Sequence, residues 1–228
     1  MDYFKEFLMV FLAVTMGFLA ENIRERLLEE SRVMELAGQL REDLTSDTMK
    51  IQRHIDFQTM QVQRADSLCE ILRQPSGRID YQRLQNMIVD FDRLDYFYPS
   101  SGAMTTIKNE LHLKRFVKTK ITTYIDNYEK GITVLQKFED RDLEYMGRYL
   151  ENFISKHFTP ENIGNAVTRA PVVNGVMREL KPEDLTQLCV DVNMIKAYNM
   201  RLLFQYKKLK TDATEFIDHI KKTYKMDD

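Results

Sequence analysis

Tryptophan is absent from this sequence, and chain breakers are scarce: five prolines and eight glycines in 228 residues. So few breakers exclude a fold of many short strands and turns and favour long helices. There are only two cysteines, Cys69 and Cys189. They have no metal-ligand spacing, so they read as buried free thiols, with a disulfide between them as the alternative. Charge of one sign is also lacking. Thirty-three basic residues oppose 35 acidic ones for a net charge of −2, so nothing marks nucleic acid as a partner.

The common catalytic signatures are missing as well. There is no G-x-G-x-x-G, no G-x-x-x-x-G-K-[ST] and no G-x-S-x-G, which removes the usual nucleotide-binding and hydrolase motifs. The four histidines, His54, His112, His157 and His219, are scattered, and none has a second His or Cys one helical turn away. A zinc site is therefore not expected. Asp90, Asp92 and Asp95 concentrate carboxylates, but on a helix only Asp92 and Asp95 share a face, and a solvated face is the simpler reading. No catalytic, cofactor-binding or metal-ligating set emerges, and the chain is expected not to be an enzyme.

What is present begins at the N-terminus. Phe7 to Ala20, FLMVFLAVTMGFLA, carries no charge. Fourteen residues are short for a span, but Tyr3 to Ile23 would reach about 31 Å as a helix. Lys5 can extend to the headgroups, and Tyr3 and Phe4 suit an interface. A signal peptide fits poorly, because the positive n-region is Lys5 alone and Phe18 occupies the −3 position before Glu21. A soluble core helix fits poorly because the run is apolar on every side. The expectation is a single transmembrane helix over 1–26, rimmed by Glu6, Glu21, Asn22 and Arg24, with Gly17 as a point of close helix approach in the bilayer. Glu6, Thr15 and Glu21 also admit the alternative of a pore-lining path. Arg24, Arg26 and Arg32 follow the run, which favours a cytoplasmic C-terminal domain.

The remainder, 27–228, reads as an all-α domain. Ala37, Leu40, Leu44, Ile51, Ile55, Val62, Cys69 and Leu72 keep helical spacing to Arg73, with a break expected near Thr45, Ser46 and Asp47. Gln74-Pro75-Ser76-Gly77 ends that helix. Shorter helices are expected from Asp80 to Asp95 and from Ala103 to Leu111. A long one over 113–157 carries Ile121, Ile125, Tyr128, Ile132, Leu135, Leu143, Met146, Tyr149 and Phe153. The segment 158–183 holds three of the five prolines and is the candidate partner-binding loop. The last helix starts near Pro182-Glu183-Asp184. Its stripe runs Leu185, Leu188, Val192, Ile195, Asn199, Leu202, Tyr206, Leu209, Ala213, Phe216, Ile220, in steps of three and four as in a coiled-coil seam. Asn199 is its one polar member, setting register or bonding a neighbour. Such helices imply an elongated antiparallel bundle. Basic clusters at Lys114, Arg115, Lys118 and Lys120, at Lys207, Lys208 and Lys210, and at Lys221, Lys222 and Lys225 suit anionic lipid or solvent.

The apolar run followed by Glu21, Asn22, Arg24 and Glu25, and then Leu40, Asp43 and Leu44, resembles a bacterial family of single-span membrane proteins without an assigned activity. Tyr98-Pro99 and Ile107-Lys108-Asn109-Glu110-Leu111 are similar to that family's middle segment. The tryptophan usual after the asparagine is Ile23 here. The resemblance reaches to about Lys130, implies a membrane-anchored helical protein, and adds no catalytic residue. The functional expectation is a membrane-anchored scaffold or interaction protein that self-associates or joins another membrane protein. The alternatives are a subunit of a channel or transport accessory, or a tethered ligand sensor. The partners expected are the lipid bilayer and further copies of the chain, and no cofactor is implied.

Overall fold

A computed structural model describes residues 2–91, 95–109, 114–160, 162–163, 177 and 180–226. Among these the chain is all-α, without a strand. Helix α1 covers Asp2–Leu72, α2 Tyr81–Phe91, α3 Gly102–Asn109, α4 Lys114–Lys118, α5 Ile121–Tyr145, α6 Asn152–His157 and α7 Pro182–Tyr224. A 3-10 turn spans Ser76–Arg78, and a π-helical turn over Met146–Glu151 joins α5 to α6.

The chain divides into two compact units. One comprises Met1–Ser46, Ser100–Asn127 and Thr214–Asp228, and the other Asp47–Pro99 and Tyr128–Ala213. Each takes a section of α1 and of α7. The boundary in α1 falls between Ser46 and Asp47, where a break in the helix is expected from sequence, yet the helix continues. The Thr45 hydroxyl donates to the Arg41 carbonyl at 2.8 Å, a back-bond that satisfies the polar side chain without opening the ladder.

The interior follows one rule in all three long helices: buried positions recur in alternating steps of three and four. In α1 the row is Val33, Ala37, Leu40, Leu44, Asp47, Ile51, His54, Gln58, Gln61, Ala65, Leu68 and Leu72, with Leu36, Ile55, Cys69 and Ile71 buried beside it. In α7 every member of the stripe from Leu185 to Ile220 is buried, Asn199 included. In α5 the buried row is Ile121, Ile125, Tyr128, Ile132, Leu135, Glu139, Asp142 and Met146. This corrects the sequence stripe, which carries Leu143. That residue is 46% exposed, because the row runs through Asp142 instead. The wider π turn that follows moves the row on to Leu150 and Phe153.

Short elements are fixed by their ends. Asp80 caps α2, its Oδ1 accepting from the Arg83 amide at 3.0 Å. The Asp43 carboxylate of α1 accepts from the Ala103 amide at 3.1 Å, placing an anion at the N-terminus of α3. The helix expected over 113–157 is interrupted at Lys120, which adopts φ 63°, a left-handed conformation that stops α4 and lets α5 start anew. Leu94, Glu110 and Leu111, at the expected ends of α2 and α3, lie outside the described residues.

Within the second unit, α7 runs antiparallel to both α1 and α5. Gln52 meets Lys210 and Asp66 meets Lys196, while Glu139 meets Tyr206 and Tyr145 meets Tyr198. Helices α1 and α5 therefore run parallel to each other, as the Asp47 to Tyr128 contact at the start of both sections requires. One core cluster gathers Leu68 and Leu72 of α1, Leu84, Ile88 and Phe91 of α2, Leu150, Phe153 and Phe158, and Leu185 to Ile195 of α7. In the first unit, Tyr124 stacks on Phe216 and on His219, and Phe116 meets Tyr224 edge-on.

At Gly131 of α5 an added Cβ would lie 2.9 Å from the Leu209 Cδ1 of α7. Gly131→Val should therefore lower the urea unfolding free energy by about 2 kcal/mol through overpacking. Lys120→Gly should raise it by up to about 1 kcal/mol by removing the left-handed strain.

Candidate functional site

Three features stand apart from simple packing: an uncovered apolar helix, a polar interior and an apolar groove. From Tyr3 to Ser31, α1 is buried by none of the described residues, and only Thr15 is even partly covered. Its most apolar 18-residue window has a mean hydropathy of 1.6, with no residue buried. By length and composition this helix can cross a membrane. Phe7, Phe11 and Phe18 expose 65%, 55% and 69% of their surface, a large cost in water. The Thr15 hydroxyl donates to the Phe11 carbonyl at 2.8 Å, which satisfies the one hydroxyl of the run inside the helix. Glu6 and Asn22 are exposed at the two ends of the run. Glu21 and Arg24 pair on the helix surface, one turn apart. Gly17 has nothing within 4 Å of a built Cβ, so among the described residues none uses its small size.

The second feature lies inside the unit that contains 47–99 and 128–213. Glu139 is 3% exposed. Its Oε1 accepts from the Phe97 amide at 3.0 Å and from the Tyr206 hydroxyl. His54 stacks flat on Tyr206, with ring centroids 5.0 Å apart, and meets Phe97 edge-on at 5.9 Å. Asp95 Oδ2 lies 3.3 Å from His54 Nδ1, but the geometry does not make an aligned hydrogen bond. The tyrosine Tyr128 donates to Asp47 at 3.1 Å, and Gln61 donates to the Phe91 carbonyl at 3.1 Å.

Charge is disfavoured at Asp142, Glu139 and His54. Burial pushes Asp142 up to about 7, with the neighbouring Glu139 charge adding to it. Glu139 is raised by burial, against the opposing pull of its bonds from Tyr206 and Phe97. His54 is lowered by burial, partly offset by Asp95. Glu139 Oε2, Asp142 Oδ1, Gln58 Oε1 and both amide atoms of Asn199 have no hydrogen-bond partner among the described residues. Asn199 is thus a buried amide in the α7 row. Such a cluster resists close packing of wrong neighbours, and among the described residues it forms no metal-ligand group.

The third feature is a groove of about 610 Å³ between α5 and α7, lined by Phe138, Arg141, Ala197, Met200, Arg201 and Phe204. Met200 and Phe204 are 54% and 64% exposed. From Val192 to Thr211 the helix carries Lys196, Arg201, Lys207, Lys208 and Lys210, and no carboxylate. Phe138 and Arg141 also line an adjoining depression with Val134, Lys137 and Asp140. An apolar floor beside arginines has the composition of an interaction surface.

Of the remaining sequence candidates, Asp92, His112, Gly164 and Gly175 lie outside the described residues, as does the side chain of Lys114. Within 158–183, residues 161, 164–176 and 178–179 are likewise outside them. The described Phe158, Met177 and Leu180 of that segment belong to the core cluster. His219 Nε2 donates to the Thr119 carbonyl at 2.8 Å, and His157 lies 3.8 Å from Asp184. Arg115 pairs with Glu30, and Lys210 donates to Gln52. The polar interior and the groove escape a search of the sequence for apolar stripes and named motifs. The alternating row, continued through Glu139 and Asp142 regardless of polarity, is the signal that finds the former.

No family model matches the chain, and neither a curated protein nor a solved structure matches it.

Folding raises the Asp142 carboxyl above its unfolded value near 4, so the unfolded chain loses this proton first as pH rises. The stability linked to it is full below about pH 4, fades between about 4 and 7, and is gone above, with an upper limit of roughly 4 kcal/mol. Urea unfolding of Asp142→Asn should match the parent near pH 4 and exceed it by about 2 kcal/mol at pH 8. Equal differences at both values would show that Asp142 is ionised in the folded chain.

Proposed function

We propose that this chain is a membrane-anchored helical interaction protein that self-associates and catalyses no reaction. The observation that carries the reading is the uncovered stretch of α1. Its apolar run finds no partner among the described residues, and a bilayer supplies one without further structure. Tyr3 to Ile23 is the span, Glu6 and Glu21 with Arg24 stand at its two rims, and Gly17 is free to meet a helix of a second copy. Arg24, Arg26 and Arg32 keep the bundle on the cytoplasmic side. The α5/α7 groove is the docking surface of the domain. Its apolar floor and basic flank suit an amphipathic helix bearing carboxylates. The resemblance carried by Asn22, Asp43 and Tyr98-Pro99 points in the same direction.

The full chain should stay with membranes through an alkaline carbonate wash, and a chain lacking residues 1–26 should wash off. Light scattering in detergent should give a mass of two or more copies. Phe204→Glu with Arg201→Glu should strip associated protein from the groove while leaving membrane retention and helical circular dichroism intact. Release of the full chain by carbonate would sink the anchor. A strict monomer with no bound partner would sink the interaction reading.

A further inference from the structure

The chain's only two cysteines lie 120 positions apart, on α1 and α7, and the fold brings them together. The Cys69 thiol points at the Cys189 carbonyl, 3.9 Å away. One side-chain nitrogen, Asn193 Nδ2, lies 3.2 Å from Cys69 Sγ and 3.6 Å from Cys189 Sγ, and donates to the Cys189 carbonyl at 2.7 Å. Two cysteines among 228 residues have little chance of meeting across two helices with an amide bridging both sulfurs. Cys69 belongs to the core cluster and is 4% exposed, whereas Cys189 packs at its edge and is half-buried. That asymmetry gives the pair one sulfur that a reagent can reach and one that it cannot.

We infer that Cys69 and Cys189 form a modification site, a dithiol that closes to a disulfide between α1 and α7 by exchange with a small disulfide of the glutathione class. The Cys189 thiolate attacks one sulfur of the small disulfide, breaking its S–S bond and releasing one small thiol. The resulting mixed disulfide places a leaving sulfur on Cys189. Cys69 then attacks Cys189 Sγ, forming the intrachain S–S bond and releasing the second small thiol. The two cysteine protons end on the two small thiols. The protein is oxidised by two electrons and the small disulfide is reduced by two. Burial pushes the Cys69 thiol up to about 11, which disfavours it as the first nucleophile and leaves that step to the more exposed Cys189. In a glutathione-buffered cytosol the pair rests open and closes under oxidative load. On an oxidising side of the membrane it stays closed.

The test uses the full chain, purified in detergent with reductant and then transferred to oxidised glutathione. Intact mass should fall by two hydrogen atoms, with no glutathione retained. Tryptic fragments carrying positions 69 and 189 should stay joined until reductant is added. Closing so long a loop should raise the thermal midpoint by roughly 5–15 °C. Cys69→Ser should stop at a glutathione adduct on Cys189, and Cys189→Ser should react at least about tenfold more slowly. The inference is overturned if the parent chain ends as a stable glutathione adduct. It is equally overturned if both thiols remain open to alkylation after the treatment.

Discussion

A single buried carboxylate ties the second unit together. Glu139 sits in the α5 row where an apolar residue would ordinarily pack, and it receives bonds from the Tyr206 hydroxyl of α7 and from the Phe97 backbone. Three pieces of chain meet at one oxygen. An acid in that place is costly unless it is bonded or neutral. The burial of the phenol, the flat stack of His54 upon it and the edge contact of Phe97 all follow from meeting that requirement. The polar residues elsewhere in the rows, Asp47 with Tyr128 and Gln61 with the Phe91 carbonyl, meet the same demand at neighbouring levels. Long amphipathic helices can slide past one another by a turn at little cost when their seams are purely apolar. Polar members spaced along all three rows make such a slip expensive, so the interior specifies register as well as contact.

Much of this architecture was legible in the sequence, and the gaps have physical causes. The stripe of α7 from Leu185 to Ile220 is buried without exception, because its polarity pattern and its spacing agree. In α1 and α5 the spacing persists but the polarity does not. A reading keyed to apolar residues therefore skips Asp47, His54 and Glu139, and drifts onto Leu143. Helix ends were visible where the residue type forces them, at Pro75 and at Asp80. They were invisible at Lys120, whose left-handed conformation no lysine announces. A break placed at Thr45 and Ser46 proved to be a boundary between packing units within an unbroken helix. The unit division is a matter of which segments pack together, and no local composition signals it.

The candidate site divides along similar lines. The apolar run was plain from composition, and its lack of cover among the described residues adds what composition cannot supply. The α5/α7 groove depends on which sides of two helices face each other, and its residues are spread from Phe138 to Gln205. The meeting of Cys69 and Cys189 likewise required the antiparallel pairing of α1 with α7. Spacing of 120 positions carries no hint of it.

An unbroken α1 also sets a rotational phase between the apolar run and the first buried row of the bundle. Each residue turns the helix by about 100°. Gly17 and Val33 are sixteen residues apart on one ladder of backbone bonds, so their side-chain directions differ by roughly 160°, nearly half a turn. A neighbouring helix that closed on Gly17 would approach from the side facing away from the row that begins at Val33. Two copies can therefore press together along the apolar run without either withdrawing its bundle from its own core. Inserting two residues between the two stretches would swing that contact face to the bundle side and set association against folding.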